Sequence, residues 1–68
     1  MHTLVPDGNH IQVLAEGTGI RQGSIFVGLP VTAVISNNNG ECTVYCTRPD
    51  GRTEVRIYRT TGQLIRTL

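Results

Sequence analysis

The stretch Cys42-Thr43-Val44-Tyr45-Cys46-Thr47, then Arg48-Pro49-Asp50-Gly51-Arg52-Thr53, then Glu54-Val55-Arg56-Ile57-Tyr58-Arg59, decides the fold. In the first segment Cys42, Val44 and Cys46 fall on one face of an extended chain. In the last, Val55 and Ile57 lie opposite Glu54, Arg56 and Tyr58. A side-chain period of two is the mark of a β-strand, because successive Cβ atoms point to opposite faces. Pro49-Asp50-Gly51 between them is a turn: proline presets φ at a turn's first central position, and glycine accepts positive φ further on. A second turn at Thr60-Thr61-Gly62 leads into Leu64-Ile65-Arg66-Thr67-Leu68, a further strand.

Working back toward the N-terminus, the same punctuation recurs. Turn signals stand at Pro6-Asp7-Gly8-Asn9, Gly17-Thr18-Gly19, Arg21-Gln22-Gly23, Gly28-Leu29-Pro30 and Asn37-Asn38-Asn39-Gly40. The runs between them are short and rich in β-branched residues: Ile11–Glu16, Ser24–Val27 and Val31–Ser36. Helices of ordinary length would have to cross a glycine or proline almost everywhere, and each interruption is costly. The expectation is an all-β fold: one small domain spanning residues 1–68, with five or six mostly antiparallel strands in a meander, sandwich or barrel-like arrangement. Two hairpins are expected in the second half, Val31–Ser36 with Cys42–Thr47 and Glu54–Arg59 with Leu64–Leu68.

A chain of 68 residues buries only about 60% of the surface its unfolded form exposes, so its core is small. Domains of this size often recruit disulfides, metals or further subunits, and a homo-oligomer is expected on that ground. The net charge is +1, which gives no bulk attraction to nucleic acid or to a membrane surface. No stretch reaches the ~20 apolar residues of a membrane-spanning helix. Read as a natural start, Met1-His2-Thr3-Leu4-Val5 lacks the basic and apolar regions of a signal peptide, so a cytoplasmic location is expected.

Cys42 and Cys46 invite a disulfide or a metal. On a strand, however, four residues at ~3.3 Å each hold their Cα atoms ~13 Å apart. A disulfide needs ~7 Å or less, and one metal with thiolate bonds of ~2.3 Å cannot hold both. Buried free thiols are the expectation, with an interchain disulfide as the rival. His2 and His10 have no clustered carboxylate or thiol nearby in sequence, so no metal and no cofactor is expected. No Gly-x-Ser-x-Gly, P-loop lysine or His-Glu-x-x-His motif occurs, and Gly17-Thr18-Gly19 lacks the spacing of a dinucleotide fingerprint. No catalytic set is therefore expected.

Arginines supply the one chemical lead. Between Thr47 and Leu68 stand Arg48, Arg52, Arg56, Arg59 and Arg66 against Asp50 and Glu54, while lysine is absent from the chain. Guanidinium forks match phosphate and carboxylate geometry. A set of Arg48, Arg52, Arg56, Tyr58 and Arg59, with Tyr58 exposed beside Arg56, would form an anion site able to stack a base. A solvated face with Arg56 neutralised by Glu54 is the alternative.

The run from Cys46 to Arg66 resembles the last hairpin of some minor pseudopilins, and Val55–Leu68 resembles the terminal hairpin of certain bacterial secretion-sorting domains. Each likeness covers about a third of the chain or less, without the families' other hallmarks such as a hydrophobic N-terminal helix, and neither is adopted. The leading expectation is a non-enzymatic binding or assembly module acting through protein contacts, of a size that suits a phage or mobile-element accessory protein. A small nucleotide or nucleic-acid binder using the Arg-rich face is the alternative.

Overall fold

A computed structural model describes residues 2–68. Seven strands follow one another: β1 (His2–Asp7), β2 (His10–Ala15), β3 (Arg21–Phe26), β4 (Val31–Ser36), β5 (Glu41–Thr47), β6 (Thr53–Arg59) and β7 (Leu64–Thr67). They form two antiparallel meanders, a three-stranded sheet in the order β1-β2-β3 and a four-stranded sheet in the order β4-β5-β6-β7. The all-β expectation holds, and the arrangement is two facing sheets instead of a closed barrel.

The strand count exceeds the expected five or six because β1 is hidden in sequence by Pro6. The turn signal Pro6-Asp7-Gly8-Asn9 is used only in its second half. Pro6 and Asp7 belong to β1, and the chain reverses at Gly8-Asn9, with Asp7 opposite His10. Gly8 has φ 61° while Asn9 is not left-handed. That combination is a type II′ turn, whose twist suits a two-residue hairpin. A strand tolerates proline where its missing N–H leaves no gap in the ladder. Residues 9, 11 and 13 of the β2 segment direct their backbone toward β3, as Val27 N donating to Asn9 O sets the phase. Residues 10, 12 and 14 therefore serve β1, where they face Asp7, Val5 and Thr3. Pro6 falls between the bonded pairs, so it removes nothing from the β1–β2 ladder.

β1 lies alongside β4 at one side of the molecule. Gly8 O accepts from Val31 N there, so the end of β1 meets the start of β4 and the two run antiparallel. Beyond that closed side, β2 and β3 face β5 and β6. The shared core is Ile11, Val13, Ile25 and Val27 from the first sheet and its exit, with Cys42, Val44, Cys46 and Tyr58 from the second. Leu4, Leu29, Val31 and Val34 pack around it. Alternation drives this outcome, since the inward set of each strand is every second residue. Among the described residues, the backbone of β7 lies close to β6 alone and that of β3 close to β2 alone.

Register in the second sheet is continuous from Glu41 opposite Arg59 to Thr47 opposite Thr53. Directly opposed residues share a face, so Cys42, Val44 and Cys46 carry Tyr58, Arg56 and Glu54 to the interior. The expected exposed Tyr58 is corrected here: it is 3% exposed and belongs to the core. The outer face instead carries Val55 and Ile57, with Ile57 between Thr43 and Arg66.

Candidate functional site

The inward row of β6 builds a polar node near the core. Arg56 Nη1 donates to Tyr58 Oη at 2.9 Å and to the carbonyl of Val27 at 3.0 Å. Its Nε donates to Glu54 Oε2 in an ion pair. The side chains of Arg56 and Glu54 are 18% and 20% exposed, and Tyr58 brings a large apolar ring with a single hydroxyl that finds its partner. The hydrogen bonds to Tyr58, assisted by Glu54, hold Arg56 more strongly protonated than usual, against a smaller opposing effect of burial. Because Val27 follows β3 while Arg56 sits on β6, this guanidinium joins the two sheets.

The five residues of the expected anion set do not share one face. Arg56 and Tyr58 point inward. Arg59 closes the opposite end of β6 on the outer face, directly across from Glu41. Arg48 and Arg52 flank the β5–β6 turn, where Arg48 Nη2 stands 3.5 Å from Asp50 Oδ2 and Arg52 N donates to Asp50 Oδ1 at 3.0 Å. The turn is closed by Gly51 N donating to Arg48 O and Arg48 N donating to Arg52 O. Continuity of register from the Pro49-Asp50-Gly51 turn is the signal that could have placed Arg56 inside: counting outward from Thr47 opposite Thr53 brings Val44 to Arg56 and Cys42 to Tyr58.

Both thiols are free and fully buried on one face of β5. Burial pushes the Cys42 thiol up, with a backbone contact at Tyr58 working against it. Burial also raises Cys46, where Arg56 lowers and Glu54 raises the value further. Cys46 Sγ donates to Glu54 O at 3.5 Å. His10 packs edge-on against Phe26 with ring centroids 5.0 Å apart. Gly17 and Gly19 sit in the β2–β3 turn, and Gly19 N is already committed to Ala15 O. Among the described residues, no three His, Cys, Asp or Glu side chains gather as metal ligands.

Two shallow clefts of about 370 and 400 Å³ open at the end of the molecule where His2 lies, and they share His2 and Thr60. Ser36 and Asn38 also line the first, and Val13, Gln22 and Ser24 the second.

The remaining distinctive feature is the open side, away from β1 and β4. There the second sheet is one strand wider than the first, so β7 has no strand facing it. Three exposed apolar side chains lie on or just past the two edge strands here: Phe26 is 64% exposed, Leu64 45% and Leu68 71%. Tyr58 lies opposite Leu64, so Leu64 projects on the inner face of β7, beyond the cover of β3. Phe26 and Leu68 lie on the outer faces, Phe26 opposite His10 and Leu68 bonded to Val55 through Leu68 N and Val55 O. Sequence reasoning expected a homo-oligomer from the small size of the core but did not single out Phe26, because only the pairing of β2 with β3 shows which face it takes.

No protein-family model, no curated protein and no solved structure matches the chain.

Proposed function

We propose that this domain is a non-enzymatic assembly module that works through protein contacts and associates with copies of itself. The observation that carries the reading is the step at the open side, where β3 and β7 end their sheets beside exposed Phe26, Leu64 and Leu68. An edge strand presents unpaired N–H and C=O groups, which proteins usually cover or defend with lysine, proline or inward charge. Here lysine is absent from the whole chain, and the prolines lie at positions 6, 30 and 49, away from both open edges. Exposed apolar side chains on both undefended edges favour a protein partner that covers those edges. Covering them also enlarges a core that is small for an independent domain.

Analytical ultracentrifugation at micromolar concentration tests this reading. The expected result is a closed assembly heavier than the 7.4 kDa chain. A clean monomer across that range would refute self-association.

A further inference from the structure

We infer that two copies associate about a twofold axis parallel to the strands, with β7 of each filling the place beside β3 of the other. The inference rests on the self-association proposed above and specifies its geometry. The three-stranded sheet lacks one strand relative to the sheet it faces, and the four-stranded sheet overhangs by one strand, β7. The vacancy and the overhang are therefore the same width. A half-turn about an axis lying between the sheets exchanges their levels. It sets the overhanging β7 of one copy beside β3 of the other, and does so twice, so both seams are identical and the assembly closes.

Strand directions agree with this. β1 and β4 run oppositely, and each sheet then alternates, so β3 and β7 point the same way. A twofold axis along the strands preserves direction, and β3 pairs in parallel with the partner's β7. A twofold axis perpendicular to the sheets fails, because pairing β3 with the partner's β3 drives each β7 into the place of the partner's β6.

Backbone phase leaves groups free for the seam. Val27 bonds to Asn9 and the register sets Ile25 opposite Ile11, so Ser24 and Phe26 turn their N–H and C=O to the open side. On β7, Leu68 bonds to Val55, and a bulge at Ile65 leaves Leu64 and Thr67 open. The bulge shortens the hydrogen-bonded seam, so apolar contact carries most of the association. Phe26 shares an outer face with the partner's Leu68 and the partner's Arg66, whose guanidinium can lie on the ring. Leu64 meets the partner's Leu64 near the axis. Arg21 stands at the opposite end of β3 from Phe26, so no like charges are forced together there.

Sedimentation of the full chain and three variants decides the matter. Wild type should run at twice 7.4 kDa. Leu64→Arg places two like charges at the axis and should raise the dimer dissociation constant by about a hundredfold or more. Phe26→Lys alters only an exposed side chain, so it gives the answer even if Leu64→Arg folds poorly by circular dichroism. It should weaken the dimer as well. Ile35→Arg, on the outer face of β4 away from the seam, should leave the dimer intact. A wild-type monomer would sink the self-association reading and this geometry together. A wild-type dimer that survives Leu64→Arg and Phe26→Lys, or that dissociates with Ile35→Arg, would overturn this geometry and spare self-association. A trimer or open filament would overturn the twofold arrangement.

Discussion

Replacing Arg56 with methionine tests the link between the sheets. Methionine keeps most of the aliphatic stem across from Val44, so the change isolates the guanidinium. Three partners lose it: the Val27 carbonyl at 3.0 Å, the Tyr58 hydroxyl at 2.9 Å and the Glu54 carboxylate. A hydrogen bond to a charged group contributes about 1.5–3 kcal/mol net. Breaking a fully buried ion pair costs about 3–5 kcal/mol, whereas an exposed pair is worth about 0.2–1 kcal/mol. With side chains 18% and 20% exposed, this pair lies between those limits. The loss in Arg56→Met should be about 2–3 kcal/mol, chiefly because Glu54 and the Val27 carbonyl are left without their cation.

A chain of this length has roughly 3–10 kcal/mol of stability in all. The melting midpoint should therefore drop by about 10–20 °C. Urea denaturation and thermal melts of wild type, Arg56→Met, Glu54→Gln and the double variant form a cycle that isolates the coupling. The double variant should recover part of the loss, since it leaves no lone carboxylate. If Arg56→Met melts within a degree or two of wild type, or if the cycle shows no coupling, the cross-sheet role fails.

The buried thiols predict an alkaline weakness. Each holds its proton more tightly folded than unfolded, because burial raises Cys42 and Cys46. Stability is then complete below the unfolded thiol value of about 8.5 and declines as pH climbs through it toward the folded values. Urea midpoints across that range should fall less steeply in a Cys42→Ala/Cys46→Ala variant, and an equal slope would refute the assignment. For anions, inorganic polyphosphate at low salt should leave the melting midpoint unchanged, since Arg56 is committed to interior partners and Arg48 lies beside Asp50. A salt-sensitive rise that Arg56→Lys abolishes would instead support the nucleotide and nucleic-acid reading.

What the sequence determined by itself is local. Alternation at Cys42, Val44 and Cys46, β-branched runs at Val31–Ser36, and glycine where the chain must reverse are enough to specify the two C-terminal hairpins and most turns, although the turn expected at Arg21-Gln22-Gly23 belongs to β3. These signals rest on φ, ψ and side-chain period, which a residue carries wherever it sits. β1 was less legible because Pro6 reads as a breaker until its place between bonded pairs is known. Tertiary structure decided which way each face turns. On β6 both faces hold apolar residues, Val55 with Ile57 on one and Tyr58 on the other, so alternation alone leaves the choice open. Pairing with the fully apolar row of β5 resolves it, and the partly buried charge is tolerated because Glu54, Tyr58 and the Val27 carbonyl surround Arg56. The step at β3 and β7 is likewise invisible in one dimension. It arises only because three strands are laid against four, and a strand's neighbours across a sheet are set by pairing instead of by its own residues.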